Sequence, residues 1–295
     1  MMINNEMLQE LERAQAAVEE RLGAYFAEDA SYGRLLEAMR YSLLAGGKRI
    51  RAILCIKFCE ASGGTLKDAI GAACAIEMLH AYSLIHDDLP CMDDAETRRG
   101  KPSNHIKYGE FTATLAGDAL QAAAFETLVN SSVYDHKAAE FVRIFAEAAG
   151  PNGICGGQYL DLQGEGRLLT IDELLEIHSL KTSALISAAA RIGVVAGGGD
   201  PRQVEAAGAF AQAVGLAFQI RDDILDCTAT QEELGKPTGS DSANEKATFV
   251  TLLGVEDSEA VIRKETSKAI AALEGKFEKT GFLRWFAGYL AQRKS

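Results

Sequence analysis

The chain has few prolines, five in all. None of its six cysteines forms a CxxC pair or lies beside histidines at zinc-ligand spacing. That excludes a zinc-stabilised module. It leads to the expectation that Cys55, Cys59, Cys74, Cys91, Cys155 and Cys227 are buried small apolar side chains in a reducing cytoplasm. Long hydrophobic runs are missing too. Nothing approaches the ~20 residues of a membrane span, and the most apolar stretch, 184–196, is interrupted by Arg191. The polar, acidic start MMINNEMLQELERAQAAVEE lacks the basic and apolar regions of a signal peptide and is too acidic for a transit peptide. These absences lead to the expectation of a cytoplasmic protein with no stable membrane insertion. Basic charge is in deficit, with 30 Lys and Arg against 42 Asp and Glu and a net charge of -12. A protein held by nucleic-acid phosphates carries the opposite balance, so no nucleic-acid partner is expected. A small anionic substrate would need local cations or metal ions.

With 47% apolar and 24% charged residues over 295 positions, the composition is that of a folded chain rather than a disordered one. The dominant hydrophobic period is helical. It predicts helices over 4–28, 31–45, 48–62, 66–89, 104–130, 134–149, 153–163, 171–196, 201–228, 246–254, 257–277 and 280–293. Pro90, Pro102, Pro151, Pro201 and Pro237 fall at or beside segment ends, where proline does least harm. No segment alternates between hairpin turns, so no sheet is expected. There is no Pro- or Ser-rich linker and no fixed repeat. The reading is one all-α domain over residues 1–295, a bundle of about ten or more helices.

Two aspartate clusters stand out. The first is Asp87-Asp88-Leu-Pro-Cys-Met-Asp93-Asp94, entered through the apolar run Tyr82-Ser-Leu-Ile. Adjacent carboxylates repel, and aspartate is a mediocre helix former, so such a cluster at the end of an apolar helix needs a reason. His80 and Asp87 are seven residues apart and share a helix face. Pro90 then breaks the helix, and the loop can fold Asp93 back toward Asp87. In the second cluster Gln219, Asp222, Asp223 and Asp226 stand at i, i+3, i+4 and i+7, one polar stripe on an otherwise apolar helix. A charge run usually faces water. Two such clusters in apolar surroundings suit hard cations instead. Mg²⁺ takes one or two carboxylates together with waters and substrate phosphates. Two facing carboxylate groups therefore suit several Mg²⁺ ions around one polyphosphate.

The basic residues accompany these clusters. Gly46-Gly-Lys48-Arg49-Ile-Arg51 sits at a loop-to-helix junction, where free N–H groups favour an anion. Arg98 and Arg99 follow the first cluster, and Lys236 and Lys246 flank a loop after the second. Two rival readings use the same stretch. Glu77-Met-Leu-His80 is an ExxH on a helix, as in di-iron bundles, but a second ExxH is missing. His86-Asp87 suits a metal phosphohydrolase, whose further histidines have no convincing counterparts.

Taken together, GGKRIR, HAYSLIHDDLPCMDDAETRRGKPSNH, AGDAL, GGQYLDLQGEG, KTSALI and GLAFQIRDDILD resemble the trans-polyprenyl diphosphate synthase family. The likeness is strongest to its short-chain bacterial farnesyl diphosphate synthases and runs from about Tyr41 to Arg293. It implies an isoprenoid-synthase bundle around a central cavity, a homodimer, and three Mg²⁺ ions with Mn²⁺ as a substitute. By resemblance Asp87 and Asp93, supported by Asp88 and Asp94, and Asp222 with Asp223 and Asp226 hold the metal. Lys48, Arg51, His80 and Arg99 match positions that hold isopentenyl diphosphate. Arg98, Lys181, Lys236 and Lys246 match those on the allylic diphosphate, and Lys181, Thr182 and Gln219 those beside the developing allylic cation. Asp87, Asp93, Arg98, Lys181, Thr182, Gln219 and Asp222 form the implied catalytic set. The implied chemistry is ionisation, condensation and elimination. Both aspartate motifs are intact, which argues against a non-catalytic partner subunit. The second cation cluster implies a second diphosphate, which a terpene cyclase does not need.

In the family, chain length is set by what blocks the tunnel beneath the first aspartate motif. Tyr82, with Ser83 beside it, lies five residues before Asp87, ~7–8 Å lower along the helix axis. An aromatic there makes a floor, and the two extra motif residues Pro90 and Cys91 also accompany short-chain synthases. The expected product is C15 farnesyl diphosphate, with geranyl or geranylgeranyl diphosphate as the alternatives. The chain departs from the pattern at Ala52, Ala95, Glu96, Glu245 and Val250. Arg293 and Lys294 either close over substrate, as the family suggests, or are simply solvated.

Overall fold

The computed structural model describes residues 5–131, 137–228 and 248–293. Helices follow one another as α1 (Asn5–Gly23), α2 (Gly33–Leu43), α3 (Ile50–Ala61) and α4 (Leu66–Asp87). A hairpin of β1 (Thr97–Arg98) and β2 (Lys101–Pro102) comes next, then α5 (Asn104–Tyr108), α6 (Glu110–Asn130), α7 (Ala138–Ala149), α8 (Ile154–Gly164) and α9 (Ile171–His178). A π turn, Ser179–Ser183, joins α9 to α10 (Ala184–Ala196). The chain ends with α11 (Pro201–Thr228), α12 (Phe249–Ala272) and α13 (Gly281–Gln292).

Helix α4 is the axis of the larger core. Thr65 and Asp68 form a capping box at its start, the Thr65 amide donating to Asp68 at 2.8 Å. Its Ala-, Ile- and Leu-rich body then buries residues on most of its circumference, from Ala69 to Ile85, among α1, α2, α3, α6 and α10. A second apolar cluster joins α3, α10, α11 and α13 around Phe58, Phe210 and Phe286, and a third joins α9, α11 and α12. Two stretches, 66–87 and 171–196, are long and apolar enough to cross a membrane, yet 67% of each such window is buried among other helices. Their apolarity faces the protein's own interior.

Three expectations need correction. The predicted helix over 104–130 is two, because Gly109 at φ 90° breaks it. The predicted helix over 171–196 contains the π turn. The break predicted between 246–254 and 257–277 is present as a kink within α12, at Gly254 with non-helical angles of φ 80° and ψ 170°. The expectation of no sheet fails for the small hairpin, where Thr97 pairs with Pro102 and Arg98 with Lys101. Its two-residue turn sets Arg99 at φ 54° and Gly100 at φ 71°, the positive values a tight type I′ connection requires. Local turn geometry, rather than apolar alternation, makes this hairpin.

Candidate active site

The end of α4, the start of α3, the hairpin, α8, the π turn and α11 converge on a cavity of about 860 Å³. Of the residues singled out in the sequence, Lys48, Arg51, His80, Tyr82, Ser83, Asp87, Arg98, Arg99, Lys181, Thr182, Gln219 and Asp222 line it. Lys236 and Lys246 lie outside the described residues, as do Glu245 and Lys294.

One wall is cationic. The backbone of Gly47 runs at φ 127°, and a Cβ there would lie 2.9 Å from the Arg99 guanidinium carbon. The bare glycine lets that guanidinium pass close to the loop, where it donates to the Gly46 carbonyl. Burial, opposed by Glu77 and reinforced by Arg99, lowers Arg51 to about 10. Burial lowers Arg99 too, with Arg49 adding to the effect. His80 is pushed well below its ordinary range by burial and then by Arg51 and Arg99, so its ring is neutral. Positive charge crowded in this way favours any anion that enters.

A second part of the lining is built on Asp87. The Asp93 amide donates to the Asp87 carbonyl at 3.0 Å, so the loop folds back as its spacing predicts. Lys181 Nζ donates to Asp161 Oδ2 at 2.7 Å and lies 3.5 Å from Asp87 Oδ1. Burial works against the lysine charge, but Asp87 and Asp161 outweigh it and raise the pKa. Arg98 Nη2 lies 3.6 Å from Asp87 Oδ2. Its Nε donates to Asp88 Oδ1 at 2.9 Å, and Nη2 donates to the same oxygen. Burial raises the Asp88 carboxyl while Arg98 pulls it down, and Arg98 itself is raised against its own burial by Asp88.

On α11, Gln219 Oε1 accepts from Thr182 Oγ1 of the π turn at 3.3 Å, and Gln219 Nε2 donates to Asp223 Oδ1 at 3.4 Å. Asp222 pairs with Arg293, whose guanidinium carbon lies 4.0 Å from the Phe218 ring centroid. The lining includes an aromatic residue of α4. Tyr82 is 8% exposed, with its hydroxyl 3.6 Å from Cys155 Sγ and its ring edge-on to His86.

Five predicted metal residues are not in the lining. Asp88 is buried under Arg98, and Asp93 and Asp94 lie in the loop beyond α4. Asp223 is 3% exposed and accepts from the Phe249 amide at 3.0 Å, satisfying a free donor at the start of α12. Asp226 is buried one turn further on. Sequence reasoning missed Arg49, Gln158, Tyr159, Leu162 and Phe218 in the lining, and Asp161 beneath Lys181. Gln158 and Asp161 stand at i, i+3 within GGQYLDLQGEG, a spacing that marks one helix face.

Residues 33–280 match the polyprenyl synthetase family. The chain belongs to that family. Geranylgeranyl pyrophosphate synthase 9, chloroplastic, of Arabidopsis thaliana is 49% identical to it over 266 residues, 87% of this chain and 73% of that protein. The heterodimeric geranylgeranyl pyrophosphate synthase large subunit 1, chloroplastic, of the same plant is 44% identical over 270 residues, 89% and 73% of the two chains. Among solved structures, geranylgeranyl pyrophosphate synthetase of Pyrococcus horikoshii Ot3 superposes with a TM-score of 0.90 at 31% identity, covering 98% of this chain and 99% of that one. The Helicobacter pylori geranyltransferase, solved with magnesium and isoprenyl diphosphate, gives 0.85 at 34% identity, covering 98% of each. This member of the polyprenyl synthetase family is thus an enzyme, a trans-prenyltransferase with the isoprenoid-synthase fold. The cytoplasmic expectation is overturned by the relatives from Arabidopsis thaliana and Capsicum annuum, which are chloroplastic proteins. The expectation of buried cysteines holds for Cys55, Cys59 and Cys74 and fails for the exposed Cys91, Cys155 and Cys227, and free cysteines report a reducing environment, not the organelle that provides it.

Proposed function

We propose that this prenyltransferase joins an allylic diphosphate, dimethylallyl or geranyl, to isopentenyl diphosphate and releases diphosphate, with residues 1–295 acting as one domain. The observation that carries the reading is five cationic side chains opening onto one cavity: Lys48, Arg51 and Arg99 around His80, and Arg98 and Lys181 beside Asp87. Two diphosphates fit that arrangement, whereas a cyclase needs only one. Diphosphate release measured with and without isopentenyl diphosphate tests it. Release that does not depend on the second substrate would refute the reading.

The donors suit Mg²⁺. Asp87 and Asp222 present carboxylate oxygens to the same cavity. Among the described residues no three His, Cys, Asp or Glu side chains form a metal cluster. Asp87 and Asp222 would leave the rest of an ion's shell to water and substrate phosphates. Asp87, with Asp93 nearby, and Asp222 would hold it, and when bound it neutralises charge on the allylic diphosphate. Arg98 and Lys181 bear on the same leaving group as its C–O bond breaks. Gln219, oriented by Thr182 and Asp223, turns its amide dipole toward the allylic carbon. Lys48, Arg51 and Arg99 hold the second diphosphate so that its double bond attacks that carbon. A proton is then lost to the released diphosphate. Ile154, Leu162, Phe218 and Tyr82 keep water from the cation.

The product read from the Tyr82 floor is C15. A second reading, C20, is favoured by the geranylgeranyl synthases among the relatives. Chromatography of the product made from geranyl and isopentenyl diphosphates separates them. A homodimer is supported by exposed Ile106, Phe111 and Leu115 at α5 and α6, with Phe111 75% exposed. Light scattering at the monomer mass of 31.6 kDa would count against it.

A further inference from the structure

We propose that α1 is a brace for the diphosphate-binding loop before α3, acting through Gln15 and Glu19. The inference rests on the reading that Lys48 and Arg51 hold isopentenyl diphosphate. Helix α1 lines none of the cavity, and it precedes residue 33, where the family match begins. It is nonetheless firmly seated, since Leu11, Ala14, Val18 and Leu22 follow one helical stripe and are all buried. Gln15 and Glu19, at i and i+4, form the adjacent stripe, and both reach the loop.

Gln15 Nε2 donates to the Lys48 carbonyl at 3.1 Å. Arg49 Nε donates to Glu19 Oε1 at 2.7 Å. The same guanidinium is gripped on its other sides: Nη1 donates to Glu77 Oε2 at 3.1 Å and Nη2 to the Leu43 carbonyl at 2.7 Å. Glu77 also accepts from the Ala52 amide at 3.2 Å, tying the first turn of α3 to α4. Arg49 is 4% exposed and Glu77 2%. The glutamate of the ExxH pattern is therefore committed to an arginine.

Arg49 is also where the chain turns from loop into helix, at φ 50° in the left-handed region. A residue with a Cβ is uncommon there, and the surroundings must hold it. Its dihedral sets the directions of Lys48 on one side and Arg51 on the other, and both line the cavity. Without Glu19 a buried N–H loses its charged acceptor, and the loop relaxes from the geometry that grips a diphosphate. Gln15 and Glu19 are thus positioning residues that never touch substrate.

The test compares wild type with Gln15→Ala, Glu19→Gln and the double variant. Steady-state rates are measured while isopentenyl and geranyl diphosphates are varied in turn, and isopentenyl diphosphate alone is titrated by calorimetry. The expected result is a rise of about five- to tenfold in KM and Kd for isopentenyl diphosphate in Glu19→Gln, and more in the double variant. The kcat, the KM for geranyl diphosphate and the Tm stay near wild type. Glu19→Asp, which keeps the carboxylate, recovers part of the loss. Isopentenyl diphosphate constants within about twofold of wild type in the double variant would overturn the brace. So would a joint rise in both KM values with a falling Tm. A wild type that never consumes isopentenyl diphosphate overturns the prenyltransfer reading itself, whereas an active wild type with unmoved variants overturns the brace alone.

Discussion

Replacing Tyr82 by alanine opens the cavity where a growing chain would meet its end. The ring is held by Cys155 at 3.6 Å from its hydroxyl and by His86, whose ring centroid is 5.0 Å away at 77°. Five residues separate it from Asp87 on α4, a rise of ~7.5 Å at 1.5 Å per residue. One further C5 unit would bring five carbons, each worth ~0.8 kcal/mol if fully buried, or about 4 kcal/mol. The vacated space is open to the cavity, so about half of that, ~2 kcal/mol, is a fair expectation. This corresponds to about a 30-fold change in the ratio of C20 to C15 product. The assay uses geranyl and isopentenyl diphosphates with Mg²⁺, followed by hydrolysis and chromatography of the prenyl alcohols. Wild type should yield mainly farnesol, and Tyr82→Ala mainly C20 or longer alcohols. The floor assignment is wrong if wild type already makes mainly C20, or if the folded variant keeps its C15 product.

Other perturbations follow from the same geometry. Asp87→Ala and Asp222→Ala should each lower kcat by about 100-fold or more with the helical circular-dichroism spectrum retained, and near-normal turnover in either would refute its role. A Cβ at Gly157 would lie 2.1 Å from the Lys181 amide nitrogen and 2.5 Å from its Cα. Gly157→Ala should therefore cost about 1–3 kcal/mol of stability in denaturant titration and displace Lys181 from Asp161 and Asp87, lowering kcat further than the stability loss explains. His178, its Nε2 sealed without a partner and its ring stacked on Phe249, is held by burial to a pKa of about 4. The unfolded imidazole protonates near 6.5, so unfolding takes up a proton between these values and stability falls as pH drops through that window, by at most about 3 kcal/mol. His178→Gln should flatten that acid slope in thermal melts, and an unchanged slope would refute the assignment.

Helix positions were legible because a 3.6-residue period is carried by neighbours in the chain. Thus 201–228 emerges as α11 with the same ends. Gly109 and the π turn were not legible, since a glycine inside a helical pattern does not by itself announce a break, and an extra residue in one turn leaves composition unchanged. Within the site, the stripe Gln219, Asp222, Asp223 and Asp226 was read as one face. The folded chain divides it, turning Gln219 and Asp222 to the cavity and Asp223 to the first amide of α12. That partner lies 26 residues away, beyond the reach of any local spacing rule. Arg293 meets Asp222 from the far end of the chain for the same reason. Tyr82, His80 and Asp87 were placed well because one uninterrupted helix carries all three.

The π turn at 179–183 makes the site depend on how many residues precede α10, as well as on which residues they are. Removing one residue from that turn would restore ordinary helix and rotate everything before it by about 100° relative to α10. Lys181 would swing off Asp87 and Asp161 although no side chain had been altered. Natural variation in this segment is then expected as substitution, seldom as a change of length, and a single-codon deletion there is a sharper lesion than any exchange of one amino acid for another.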